Sequence, residues 1–69
     1  MFGKRLRAAR MARGLTQDKT SEAVGIALRT YQGYEQGERR PSFEILVALA
    51  DVLDVSTDYL LGRDEPIEH

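Results

Sequence analysis

An all-α fold of five short helices is what this sequence predicts, on three observations. Thr16, Ser42 and Ser56 each stand where a hydroxyl can accept a hydrogen bond from a free N–H in the first turn of a following helix. Glycines at 14, 25, 37 and 62 fall just past the ends of the segments so opened. The run FEILVALADVL, residues 43–53, repeats its apolar side chains at helical spacing.

The first helix is predicted over residues 3–13, GKRLRAARMAR, which have high helix propensity and no β-branched residue. Leu6 and Ala9 share its inner face with Phe2 one turn earlier, while Lys4, Arg5, Arg7 and Arg13 point outward. Gly14 ends it and Leu15 returns to the core. Thr16 caps the second helix, Asp18 suits its positive end, and Gly25 stops it after Val24. Thr20, Ser21 and Val24 face inward, so the Thr20 hydroxyl must find a carbonyl one turn back. Ile26 enters the core, and a third helix runs from about Leu28 to Glu35, with Tyr31 and Tyr34 packed inward and one or both phenol hydroxyls reaching the surface. Ser42 caps the fourth helix, whose core face is Phe43, Leu46, Leu49, Ala50 and Leu53. Asp54 follows and must tolerate a left-handed backbone. Ser56 caps a last helix, Thr57 to Leu61, and the polar tail 63–69 is expected to fray.

Sixty-nine residues make one small domain with a marginal core, burying about 60% of the unfolded surface. There is no linker, repeat or second domain to read. With no Cys and a lone His at position 69, the chain offers neither a disulfide framework nor a metal site, and no cofactor is expected. Without clustered carboxylates either, nothing builds a catalytic constellation, so an enzyme is not expected. No apolar run approaches the roughly 18 residues that cross a bilayer, and no secretory signal is seen, which points to the cytoplasm. The net charge of −1 hides a polarised chain. Residues 1–41 hold nine Lys/Arg against four Asp/Glu, and residues 42–69 hold one against seven. Such a chain turns a basic surface toward a polyanion and keeps an acidic one away from it.

Helix, short turn containing Gly25, helix, over residues 16–37, is the spacing of a helix-turn-helix, whose second helix lies in the major groove of double-stranded DNA. The residues Gly14-Leu15-Thr16-Gln17, Gly25-Ile26, Tyr34-Glu35-x-Gly37 and Pro41-Ser42 resemble the Cro/repressor-type (XRE) family. The resemblance runs from Gly3 to Gly62 and implies a five-helix, lambda-repressor-like DNA-binding domain acting as a transcriptional regulator. It departs locally at Thr20-Ser21, where the family usually has Leu-Ala, and at Ala27, where a capping Ser is common.

The resemblance implies an Arg10–Glu35 ion pair tying the first helix to the end of the recognition helix. It also favours a phosphate contact by Gln17, at the start of the second helix. Base readout is expected from Arg29, whose planar fork matches guanine O6 and N7, from apolar contact by Leu28, and from Gln32. Thr30 and Gln32 can each reach base or phosphate, depending on docking angle. Gly33 stands where the family commonly reads bases, so either the backbone approaches the DNA there or readout is narrower. Arg39 and Arg40 are expected on phosphates or a flanking minor groove. With the basic half on DNA, a homodimer must form through the acidic half, where Ile45, Val52, Val55 and Tyr59 offer an apolar centre. No small-molecule ligand is evident. The alternative expectation is a protein-binding module, an antitoxin or assembly partner, using the same fold.

Overall fold

A computed structural model describes residues 2–62. Five α-helices are present: α1 Phe2–Ala12, α2 Gln17–Val24, α3 Leu28–Gln36, α4 Phe43–Leu53 and α5 Thr57–Leu61. The tail at 63–69, with His69, lies outside the described residues.

The three hydroxyl caps set the helix starts. Thr16 Oγ1 accepts from the Lys19 N–H at 3.0 Å, Ser42 Oγ from Ile45 at 3.2 Å and Ser56 Oγ from Tyr59 at 2.9 Å. Gly25 ends α2 with φ 76°, and the Ile26 N–H reaches back to the Ser21 carbonyl at 3.0 Å. Asp54 ends α4 in the same way, with φ 59° and the Val55 N–H on the Ala50 carbonyl at 3.0 Å. A Cβ at that φ is strained, and Asp is among the few side chains that tolerate it.

Leu6, Ala9, Tyr31, Tyr34, Leu46, Leu49, Ala50, Leu53 and Leu60 form the core. Each fully buried leucine contributes about 1.5–3 kcal/mol. Helix α1 packs on α3 and α5, α2 on α3 and α4, and α4 on α5. Thr20 and Ser21 are buried where α2 meets its neighbours. Their hydroxyls donate to the Thr16 and Asp18 carbonyls, each at 2.9 Å, so neither is stranded.

Four details correct or narrow the sequence reading. Phe43 is 76% exposed. It shares the spacing of the α4 core face, but as the first helical residue its side chain leans back past the end of the helix, beyond the core. Tyr31 is fully buried and its hydroxyl donates to Glu35, so of the two phenols expected to send one or both hydroxyls to the surface this one does not. Arg5 does not simply face outward: its guanidinium carbon lies 4.9 Å from the Tyr59 ring centroid, and Nη1 donates to the Tyr59 carbonyl at 3.1 Å. Gly3, read only as part of a helix, is a close-approach point. A Cβ there would collide with the Glu35 carbonyl oxygen and sit 3.0 Å from that of Tyr34. Glycine thus lets the first turn of α1 rest on the backbone of α3.

Candidate nucleic-acid interface

The helix-turn-helix unit is held together by one carboxylate. Glu35, at the end of α3, receives Arg10 Nε at 2.7 Å and Nη2 at 3.4 Å, Gln17 Nε2 at 3.0 Å, and the Tyr31 hydroxyl. Arg10 Nη1 adds a bond of 2.9 Å to the Leu15 carbonyl, fixing the α1–α2 turn. Gln17 then accepts from Gln32 Nε2 at 3.2 Å, which links the start of α2 to the middle of α3. The Glu35 and Arg10 side chains are only 4% and 12% exposed. Burial works to raise the Glu35 pKa, but the hydrogen bonds from Arg10, Tyr31 and Gln17 outweigh it and hold the carboxyl below its ordinary range. The same contact raises Arg10, against its own desolvation. Burial first, then the neighbouring carboxylate, pushes the Tyr31 phenol far above its usual value.

This network changes what Gln17 has to offer. Its side-chain amide is oriented by Glu35 and Gln32, so what it can still offer a phosphate is the second Nε2 hydrogen and the backbone N–H at the open end of α2. Gln32 is half-buried and oriented by the same bond. A shallow groove beside it is lined by Arg7, Arg10, Thr16, Gln17 and Glu35. Arg7, read only as an outward charge, therefore shares this groove with the α2 N terminus. Its spacing of three residues before Arg10 was the available signal.

Helix α3 presents Leu28, 38% exposed, and the exposed Arg29 at its first turn. Ala27, extended at φ −69° and ψ 147°, precedes it without any side-chain cap. Ala27→Ser is therefore expected to stabilise the protein by about 1 kcal/mol, raising the melting temperature by roughly 4–8 °C. Thermal denaturation checks this, and an unchanged midpoint would mean that the α3 N–H groups gain nothing from a cap.

Gly33 is buried, and the cover over it is a feature that neither expectation included. The space a side chain would fill is occupied by the Arg39 stem, with Cδ 2.9 Å from an ideal Gly33 Cβ position. Arg40 is exposed on the same loop, bordering a groove with Phe2, Gly3, Pro41 and Leu61. In the acidic half, Ile45, Val52, Val55 and Tyr59 are all half-buried and packed against the core, and Arg5 covers one face of the Tyr59 ring. Among the described residues, no three His, Cys, Asp or Glu side chains gather as a metal site, and no helix is long and apolar enough to cross a membrane.

The sequence pattern of the helix-turn-helix family matches residues 6–60. The chain is 45% identical over 67 residues to the uncharacterised HTH-type transcriptional regulator YobD of Bacillus subtilis, covering 96% of this chain and 60% of that protein. It spans between 50% and 60% of the length of the first curated relatives it matches. In structure it is similar to the P22 c2 repressor in complex with synthetic operator 9T, with a TM-score of 0.87 and 34% identity over 93% of this chain and 97% of that one. It is also similar to the restriction-modification controller protein C.AhdI of Aeromonas hydrophila, with a TM-score of 0.80 and 36% identity over 86% and 89% of the two chains.

Proposed function

This chain belongs to the Cro/repressor-type (XRE) helix-turn-helix family, and from that premise we propose that it is a repressor-like transcriptional regulator that reads double-stranded DNA as a homodimer on palindromic operators. The observation that carries the proposal is the linkage of Arg10, Gln17, Gln32 and Glu35, which makes α2 and α3 one rigid unit and leaves the first turn of α3 exposed. A rigid unit of this kind can seat one helix in the major groove while the other meets the backbone. Support also comes from the relatives: YobD is named as an HTH-type transcriptional regulator, and the P22 c2 protein is a repressor solved in complex with an operator. These favour DNA over a purely protein-binding role. A regulator of this kind works in the cytoplasm.

In this reading Leu28, Arg29 and Gln32 meet base edges. Phosphates meet the Gln17 N–H, Arg40 and the charge of Arg39, with Arg7 beside the α2 N terminus, while Arg10 stays paired with Glu35. The dimer forms through Ile45, Val52, Val55 and Tyr59. Arg29→Ala tests base readout. Selection from a random duplex library should lose one guanine preference in each half-site, worth about 1–3 kcal/mol, while other positions keep their information. Identical sequence preferences in variant and wild type would reduce Arg29 to a backbone contact.

A further inference from the structure

We infer that Arg39 is a specificity-determining residue, reading a guanine from the seat on α3 that Gly33 leaves vacant. The inference rests on the DNA-reading function proposed above.

Gly33 follows Arg29 by four residues, so the two share one face of α3 a single turn apart. A position without a side chain on that face would ordinarily be silent. Here it is covered: an ideal Gly33 Cβ would lie 2.9 Å from Arg39 Cδ, 3.1 Å from Cγ and 3.4 Å from Nε. The Arg39 stem thus runs along the helix backbone and starts its guanidinium where a residue-33 side chain would begin. The loop is pinned in this position, because the Glu38 and Arg39 N–H groups both donate to the Gly33 carbonyl, at 2.9 and 3.2 Å. A phosphate contact needs no such seat, since a flexible arginine on an exposed loop can follow the backbone freely. A seated stem gives up part of its rotamer freedom before binding, and the planar guanidinium it carries suits the bidentate geometry of guanine O6 and N7. One helical turn advances about 5.4 Å, so this guanine should lie within about two base pairs of the one read by Arg29.

The test uses the full chain, a random duplex library and three proteins: wild type, Arg39→Lys and Gly33→Ala. Lysine keeps the charge and loses the fork. Alanine keeps Arg39 and fills its seat, and it is favourable in a helix, where the atoms it meets belong to a flexible side chain. Both variants should lose the same guanine from the selected site and bind that site about 10- to 100-fold more weakly. Arg39→Lys should still bind unselected duplex about as well as wild type. If Arg39→Lys keeps the wild-type preference and affinity, charge alone suffices and the inference is overturned. It is equally overturned if Gly33→Ala, with its helical circular-dichroism signal intact, changes a different base pair from Arg39→Lys. Arg39→Lys decides alone if Gly33→Ala loses that signal. A wild type that enriches no motif would overturn the DNA-reading function itself, and this inference with it.

Discussion

Glu35→Ala should lower stability by about 3–5 kcal/mol, the range for breaking a buried pair and leaving its partner uncompensated. Arg10 would lose its carboxylate, and Tyr31 and Gln17 would each lose an acceptor at a site where the carboxylate is 4% exposed. A domain of this length has a total stability of only about 4–10 kcal/mol, so the variant should be largely unfolded on mild heating. Urea denaturation followed by circular dichroism measures the effect. A loss below about 1 kcal/mol would mean that the pair behaves like an exposed surface ion pair. The same carboxylate gives the protein an acid limit. Its folded pKa lies below the ordinary value of 4.5, so the folded state favours the ionised form. That contribution is complete above the unfolded value and is lost as pH falls toward and through the lower folded value. Glu35→Gln should therefore flatten the fall in stability below about pH 4.5.

Val52→Lys should leave the helical signal intact and split the proposed dimer. Val52 is half-buried at the edge of the α4 core face, where a lysine stem can lie along the surface and put its ammonium into solvent. In a two-fold interface the same residue enters from both subunits, so one substitution sets two like charges near the centre of the patch. Binding to a full palindrome gains from holding two half-sites together, an effect commonly of 10²- to 10⁴-fold. The variant should lose most of that gain while binding a single half-site as wild type does. Sedimentation at tens of micromolar and titration on both duplexes measure the two effects. A wild-type monomer that binds half-sites as well as palindromes would remove the dimer from the account.

The helix starts and stops were legible because each rests on a local signal. Thr16, Ser42 and Ser56 bond to an N–H three residues on, and Gly25 and Asp54 close their helices with bonds inside one turn. The satisfied Thr20 hydroxyl was legible for the same reason, its partner lying four residues back. Phe43 was misread because periodicity gives the face of a helix but not where its neighbours end. Contacts distant in sequence were the hardest to see. Nothing local to Gln17 reveals that its amide is taken by Glu35 and Gln32, and nothing local to Arg5 reveals the Tyr59 ring. The Arg39 stem over Gly33 was the deepest omission, because it comes from six positions away, beyond the helix end. The Arg10–Glu35 contact was anticipated through the family resemblance, since two residues so far apart carry no mutual sign in a single sequence.

The central claim is that this surface reads DNA sequence, and one titration tests it most directly. Wild-type protein is titrated by fluorescence anisotropy into the palindromic duplex enriched from a random library, and into a scrambled duplex of the same composition, at physiological salt. A sequence-reading surface should bind the palindrome at least about 10³-fold more tightly than the scrambled duplex, the lower end of the range for specific regulators. Equal affinity for the two duplexes, both falling steeply with added salt, would mean that the basic half only neutralises phosphates and would contradict it.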